Sequence, residues 1–331
     1  MWQSRIILGG VIFAVLLFSC PALAAEGVAS AAQGNSGNLE WSVYGQTGFQ
    51  RMNLEYNASF PTGPFGVELA HPSPLDIKLG NVNLWMGGIG ADITKGPLSG
   101  FLDLKASLPR NIDTKTPSEP FYGISLPVDW QGSHLKWWDV SIGAGIDITP
   151  HITIQAGFNW DHLSLSMRNP VDPIGVIPAF ESFYGDNYSG SLKSNLFIPW
   201  VGVKVTEERL KGSLRFSPLA YTDLNVPFNY KFVVIPHSDA VVALENERYT
   251  FRHNGIWFEG NLAYDIYKIK NWCFSLWTNA SWLRTNGTTG STYRLDQYNN
   301  GTMTSTILTD ASSGSGSYHV STYAFGVRVA Y

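Results

Sequence analysis

Apolar and polar side chains alternate along several stretches of this chain, each nine or more residues long. The last stretch places Tyr323, Phe325, Val327, Val329 and Tyr331 on one face, and small or charged residues on the other. Successive side chains of a β-strand point to opposite faces, so each stretch predicts a strand with one apolar face. An aromatic residue that closes the chain on this face is typical of a lipid-facing barrel strand.

Ten such strands are predicted, at 40–57, 75–93, 97–108, 134–149, 151–167, 193–206, 209–223, 249–266, 271–285 and 317–331. Short turns join the strands within pairs, whereas five long segments lie between pairs, at 58–74, 109–133, 168–192, 224–248 and 286–316. An even strand count with short periplasmic turns and long outer loops is the pattern of bacterial outer-membrane barrels. A soluble sandwich also gives alternating strands, but the length of these runs favours a membrane band. We therefore predict an all-β fold, a transmembrane antiparallel up-and-down barrel of ten strands.

The polar faces of the predicted strands carry charges that would point into the barrel. They are Asp103, Lys105, Asp139, Asp147, Asp161, Arg215, Glu259, Asp265 and Arg328. Buried charges need partners, so we expect these side chains to form a structural network. Ten strands enclose a narrow interior that side chains mostly fill, which disfavours a wide diffusion pore.

The amino-terminal end has the features of an export signal. Arg5 precedes an apolar run, and Ala22-Leu23-Ala24 is a small-x-small cleavage site, so residues 1–24 are predicted to be a signal peptide. Residues 25–38 are rich in Ala, Gly, Ser and Asn and are predicted to be a flexible periplasmic leader before a barrel at 39–331. Cys20 lies within the signal, so Cys273 would be the one cysteine left, without a disulfide or a cysteine-based metal site.

Composition narrows the class of partner. Aromatic residues make up 14% of the chain and charged residues 15%, with a formal net charge of -4 and no basic cluster. Aromatic girdles are typical of membrane barrels, whereas nucleic-acid binding needs a basic patch. We expect contact with outer-membrane lipid, no nucleic acid, no cofactor and no metal, and we expect a monomer at the bacterial outer membrane.

Several short motifs resemble the omptins, a family of outer-membrane endopeptidases with ten-stranded barrels. The motifs are Ser73-x-Leu75-Asp76-x-Lys78-x-x-Asn81, Gly87-x-Ile89-x-x-Asp92-Ile93, Pro199-Trp200-Val201-Gly202-Val203, Leu210-x-Gly212-Ser213-Leu214-Arg215-Phe216-Ser217 and Gly326-Val327-Arg328. They follow one another in the family's order over residues 40–331. The resemblance implies an omptin-like architecture, with peptide cleavage as the activity to be tested.

The resemblance also implies which residues would cleave peptides, and these are not retained. Omptins are thought to use an Asp-x-Asp pair in the second outer loop and an Asp-x-His pair in the fourth, with a water between the pairs. Here the second outer loop has Asp113, Glu119 and Asp129 but no Asp-x-Asp. Ungapped counting from Ser217 puts the fourth-loop pair at Val226 and Phe228, which cannot move a proton.

A rearranged site is the alternative. His237-Ser238-Asp239 has the fourth-loop pair in reversed order, and Asp129-Trp130 resembles the second half of the omptin Asp-x-Asp-Trp motif. The weak catalytic candidates are therefore His237, Asp239 and Asp129. His162 and His253, near strand ends, are interpreted as polar rim residues.

Lipopolysaccharide is a further partner that the resemblance implies. The position expected for an arginine before Pro199 holds Asn195, and Lys193 is a nearby candidate. The leading hypothesis is a non-catalytic outer-membrane barrel with a surface-binding role, through an unknown extracellular ligand, or an envelope-structural role. Omptin-type proteolysis is the second hypothesis, and a narrow solute channel is the third.

Overall fold

The computed structural model describes residues 39–62, 68–117, 127–167, 170–171, 189–234, 241–299 and 302–331. The strands are β1 (Leu39–Thr62), β2 (Glu68–Lys95), β3 (Leu98–Ser107), β4 (Arg110–Pro117), β5 (Pro127–Thr149), β6 (Ile152–Met167), β7 (Pro170–Val171), β8 (Ser189–Thr206), β9 (Leu210–Val234), β10 (Val241–Ile269), β11 (Trp272–Asn299) and β12 (Thr302–Ala330). Among the described residues, no helix is long and apolar enough to span a membrane.

The strands close into one antiparallel barrel. The order around the sheet is β1-β12-β11-β10-β9-β8-β6-β5-β3-β2, and β2 pairs again with β1. β4 continues the line of β3 and also pairs with β5, while the two-residue β7 pairs with the start of β5. Ten barrel positions result, which confirms the predicted fold. The predicted pairing of the last strand with the first is also confirmed, from Tyr44 opposite Ala330 to Ser59 opposite Ser315.

The two ends of the barrel differ. Tight connections join β2 to β3, β5 to β6, β8 to β9 and β10 to β11, at one end that we call the short-turn end. Gly96 and Lys270 have φ values of 57° and 53° in two of these turns. We call the opposite end the long-hairpin end. There the strands extend much farther than predicted. The predicted signal peptide and leader, 1–38, lie outside the described residues.

The predicted loop lengths were wrong at the long-hairpin end. Residues 224–234, 241–248, 286–299 and 302–316, predicted to be loop, belong to β9, β10, β11 and β12. Their Thr, Ser and Asn content suggested loops, but paired strands satisfy the backbone here, and polar side chains suit a strand face in water.

The alternation inverts its phase halfway along the strands. On β1, Trp41, Val43 and Phe49 are exposed apolar residues, and Gln50 is a buried polar one. Beyond this point the buried residues of β1 become apolar, namely Met52, Leu54, Tyr56 and Ala58. The short-turn half therefore has an apolar outside and a polar inside, as a membrane barrel requires, while the long-hairpin half has an apolar interior like a soluble protein.

Candidate functional site

The interior of the short-turn half contains the predicted network of charges. Lys105 lies 2.9 Å from Asp103 and 3.7 Å from Asp139, and Arg215 lies 2.8 Å from Glu259. The charged residues come from four strands, β3, β5, β9 and β10. Each occupies a position whose side chain points into the barrel. The pairing offsets part of the desolvation cost that single buried charges would carry.

The network extends to both sides of this centre. Asp161 accepts a hydrogen bond of 2.8 Å from Trp137 Nε1, and Asp147 accepts one of 2.6 Å from Thr153. Arg328 lies 2.8 Å from Asp92, and Lys211 lies 3.1 Å from Asp265. Asp92 and Lys211 were not predicted to belong to the network, although both fall on the inward phase of their strands and could have been found from it.

Arg215 is also held by two aromatic rings. Its guanidinium carbon lies 4.9 Å from the ring centre of Phe101 and 4.4 Å from that of Trp200. A guanidinium in contact with aromatic rings is stabilised by cation–π attraction and keeps its in-plane donors for a carboxylate. The residue therefore fixes Glu259 and the facing wall at once, which is a structural role.

A polar cavity of about 280 Å³ remains among these side chains. Lys204 and Thr206 line it near the short-turn end, whereas Met86, Ile198 and Trp257 line its other end. Charged, polar and apolar side chains together surround this cavity.

Apolar side chains fill the interior of the long-hairpin half. The core contains buried residues from nearly every barrel strand, among them Leu54, Ile77, Leu84, Leu135, Leu165, Met167, Leu192, Leu196, Leu224, Phe251, Leu283 and Tyr318. Sequence reasoning missed this core, because the segments that supply part of it were interpreted as loops. The phase inversion of the alternation is the signal that could have revealed it.

Val226 and Phe228 belong to this core. They are 1% and 4% exposed, and the ring of Phe228 lies edge-on to that of Tyr249, with 6.1 Å between ring centres. Backbone pairing places Val226 opposite Tyr249 and Phe228 opposite Gly190. These two positions therefore face packed hydrocarbon and have no access to a water nucleophile.

Of the weak catalytic candidates, only Asp129 lies among the described residues. His237 and Asp239 lie outside the described residues. Asp129 is in β5, where its backbone is paired with Lys115 on one side and Val171 on the other. Within the described part of the chain, no group of three or more His, Cys, Asp and Glu side chains could hold a metal ion.

The two histidines that were predicted to lie near strand ends have polar neighbours. His162 shares a hydrogen bond of 2.8 Å with Asn195 and stacks on Trp138, with 5.2 Å between ring centres. His253 bonds through Nε2 to the carbonyl of Thr288. His253 lies in the middle of β10, so its predicted place near a strand end was wrong, and the interpretation of both histidines as polar rim residues stays a prediction.

Two girdles surround the barrel outside. Aromatic rings touch across neighbouring strands, as in Phe49 with Trp85, Trp160 with Phe197, and Phe258 with Trp282. Exposed basic residues follow one to three outward positions farther toward the long-hairpin end. This basic girdle consists of Arg51, Arg110, Lys136, Lys193, Arg252 and Arg284. Three of its members are anchored, Arg51 by Asn81, Arg110 by the carbonyl of Asn83, and Arg252 by Asp223.

Comparison with solved structures agrees with this architecture. The outer membrane protease OmpT from Escherichia coli is similar in structure, with a TM-score of 0.52 and 15% identity, covering 90% of this chain and 100% of OmpT. The chain has the fold of a ten-stranded outer-membrane barrel similar to that of OmpT. At this identity the likeness concerns the fold alone. The apolar outside of the short-turn half is the surface that a barrel surrounded by lipid requires.

Two other solved barrels are less similar. The translocator domain of the autotransporter NalP from Neisseria meningitidis has a TM-score of 0.38 and 11% identity, with 97% of each chain covered. A FadL homologue from Pseudomonas aeruginosa has a TM-score of 0.31 and 7% identity, covering 88% of this chain and 90% of that one. No protein-family model matches the sequence, and no curated protein is significantly similar to it.

Proposed function

We propose that the protein is a non-catalytic and non-conducting outer-membrane barrel that binds lipopolysaccharide around its outer rim and presents its long hairpins outside the cell. The absence of catalysis and conduction rests on one observation, the apolar core of the long-hairpin half. Omptin-type cleavage needs a polar, water-containing cleft at this end, and Val226 and Phe228 are buried there among apolar side chains. A continuous aqueous path would have to cross the same core.

The basic girdle supports lipopolysaccharide as the partner and supports an orientation in which the long hairpins face the cell exterior. Lipopolysaccharide carries phosphates at the level of the outer-leaflet head groups, directly above its acyl chains. A ring of exposed Arg and Lys immediately beyond an aromatic girdle matches that order of apolar and anionic layers. Each basic residue near an anionic surface contributes about 1 kcal/mol of attraction. The long hairpins would then face the exterior.

The amount of lipopolysaccharide that stays bound to the purified barrel tests whether it is the partner. The triple variant Lys136→Gln/Lys193→Gln/Arg284→Gln should retain much less lipopolysaccharide after detergent washing than the unchanged barrel. A matched control, Lys95→Gln/Arg209→Gln/Lys270→Gln, removes three charges at the short-turn end and should retain the normal amount. Equal retention by both variants would contradict the assignment.

Two assays test the absence of catalysis and conduction. Refolded barrel with lipopolysaccharide should leave a library of basic peptides uncleaved, as measured by mass spectrometry. Specific cleavage that is lost in His237→Ala or Asp239→Ala would establish the rearranged site instead. In planar bilayers the same preparation should show no discrete conductance steps, and stable openings would favour a solute channel.

A further inference from the structure

The polar cavity inside the short-turn half has an open end and a closed end. Thr206 and Lys211 line it near the short-turn end, and the Lys211 side chain is 42% exposed, so the cavity reaches solvent there. Met86, Ile198 and Trp257 line its other end, where the apolar core of the long-hairpin half begins. The cavity is therefore a blind pocket that a small solute can enter from the short-turn end.

Three polar side chains lie together on one wall of this pocket, around Gly202 of β8. Gly202 is paired with Gln155 of β6 on one side and with Arg215 of β9 on the other. Lys204 is two residues farther along β8, so it has the same inward direction as the Gly202 position. Diagonal neighbours on adjacent antiparallel strands are within reach of long side chains. Gln155, Lys204 and Arg215 all line the pocket, so their polar ends can act on one small molecule.

Each of these three side chains has a polar group without a partner among the residues that the structure describes. Lys204 forms no hydrogen bond and no ion pair with them. The Nε atom of Arg215 is buried and has no acceptor, and the amide oxygen of Gln155 is buried and has no donor. Gln155 is 6% exposed, and a half-turn of its amide would present the NH2 group instead. The wall therefore offers one positive charge and further hydrogen-bond donors.

The carboxylates that act on Lys204 are engaged with other groups. Asp92 and Asp147 are the two whose charge reaches it, and neither forms an ion pair with it. Asp92 lies 2.8 Å from Arg328, and Asp147 accepts a hydrogen bond of 2.6 Å from Thr153. Both carboxylates therefore already have partners.

The carboxylates deeper in the pocket do not neutralise Lys204 either. Most of them belong to the ion pairs of Lys105 and Arg215. Asp161 is opposite Leu196, which precedes Lys204 by eight residues on β8. At ~3.3 Å for each residue of a strand, this separation is ~26 Å along β8. The wall around Lys204 thus has an excess of positive charge, which favours an anion.

We propose that this pocket binds a small oxyanion, the carboxylate or phosphate group of a solute, between Lys204, Arg215 and Gln155. Lys204 supplies the charge, while Arg215 Nε and the Gln155 amide donate hydrogen bonds to its oxygens. Hydrogen bonds to an ionised acceptor are shorter and stronger than those between neutral groups. Arg215 keeps its Nη1 bond of 2.8 Å to Glu259, so the structural ion pair stays intact. With the long hairpins outside the cell, the mouth of the pocket faces the periplasm.

Fluorine NMR of the full barrel, labelled with 5-fluorotryptophan and refolded in dodecyl maltoside, tests the site. Trp277 is the reporter, because it lines the pocket and its buried Nε1 has no acceptor among the described residues. Its resonance is the one that disappears in Trp277→Phe. Sodium phosphate or sodium acetate, titrated at constant ionic strength, should shift this resonance until it saturates, and the tighter of the two identifies the preferred group. No saturable shift with either probe, or an equal shift with chloride, would overturn the proposal.

A matched pair of lysine variants separates the pocket from general attraction to the barrel end. Lys204→Met keeps a long side chain, removes the charge and strands no carboxylate, so the barrel should fold, as checked by heat-modifiability. It should weaken oxyanion binding about tenfold or more. Lys95→Met removes an exposed lysine at the same end, outside the pocket, and should leave the affinity unchanged. Equal weakening by both variants, or an unchanged affinity in Lys204→Met, would overturn the assignment.

Discussion

The Tyr318 hydroxyl on β12 donates a hydrogen bond of 2.9 Å to Ser194 Oγ on β8, four strands away around the barrel. The bond therefore crosses the interior. Tyr318 is 1% exposed and Ser194 is also 1% exposed, so both groups depend on each other for a partner. A direct contact between facing walls is possible because ten strands enclose a narrow interior.

Removing this hydroxyl should destabilise the barrel slightly but measurably. We expect Tyr318→Phe to lower the free energy of unfolding by about 1–3 kcal/mol, since it leaves the buried Ser194 hydroxyl without its partner. Urea titration of the refolded barrel in lipid vesicles measures the change. Tyr323→Phe, on the exposed face of β12, is the control and should have little effect. An equal loss in both variants would contradict the cross-barrel role.

Alkaline pH should weaken the long-hairpin half through its buried tyrosines. Burial raises the pKa of Tyr318, and it raises the pKa of Tyr56 to about 12. The folded state thus holds these protons more tightly than the unfolded chain, whose tyrosines titrate near pH ~10. The stability is fully present below that value and falls as the pH rises from about 10 to 12. Unfolding titrations across this range should fall less steeply in Tyr56→Phe/Tyr318→Phe, and an unchanged slope would argue against the two residues.

Installing the omptin residue types should not create a protease. Val226→Asp/Phe228→His places a carboxyl and an imidazole in the apolar core, where unpaired polar groups are costly. We expect a loss of several kcal/mol in the free energy of unfolding and no cleavage of a basic peptide library. Val226→Ala/Phe228→Leu, which keeps both positions apolar, should be less destabilised. Peptide cleavage by the Asp/His variant would mean that water reaches these positions.

Charge on the lipid-facing side of β12 should impair membrane insertion. Phe325 is 63% exposed and Val327 is 44% exposed, whereas Thr322 is buried and shares a hydrogen bond of 2.7 Å with Ser281. A charge near the middle of the bilayer costs up to about 2–4 kcal/mol. Phe325→Asp and Val327→Asp should therefore fold in lower yield than Thr322→Asp, as measured by heat-modifiability. Similar yields for all three would mean that the facing assignment is wrong.

The pair of Arg215 and Glu259 should show strong coupling. Arg215→Met leaves a buried carboxylate without its cation, and breaking such a pair costs about 3–5 kcal/mol. Arg215→Met/Glu259→Gln removes the stranded charge and should recover part of this loss. A double-mutant cycle on urea unfolding gives the coupling energy, and strictly additive effects would show that the two side chains act independently.

The fold could be predicted from the sequence because a membrane barrel repeats one simple rule. The alternation of Ile154, Phe158 and Trp160 with Gln155 and Asn159 on β6 already indicates both faces of the strand. Each lipid-facing position must be apolar, and a register shift by one residue would bury polar groups in lipid. The strand number, the inward charges and the closing pair of β1 and β12 follow from this constraint.

The interior of the long-hairpin half could not be predicted in the same way. Residues 223–232 alternate as strictly as the membrane strands, but Leu224, Val226 and Phe228 are the inward residues, and Asp223 and Asn225 face outward. In a membrane strand the apolar residues face outward, whereas here they face inward. If this segment is expected to follow the membrane pattern, its apolar and polar residues are in the opposite positions, and it resembles a loop. The neighbouring strands decide which face of this strand contacts water and which face contacts the core. The local sequence does not contain that information.

The phase inversion also fixes how deeply the barrel sits in the membrane. A shift of two residues toward the short-turn end would carry Arg51 and Arg284 into hydrocarbon, and the opposite shift would expose Phe49 and Trp282 to water. Both displacements cost free energy, one through charge and the other through apolar surface. The same stripe of residues that divides the two interiors therefore acts as a waterline, holding the barrel at one height while the long hairpins rise clear of the bilayer.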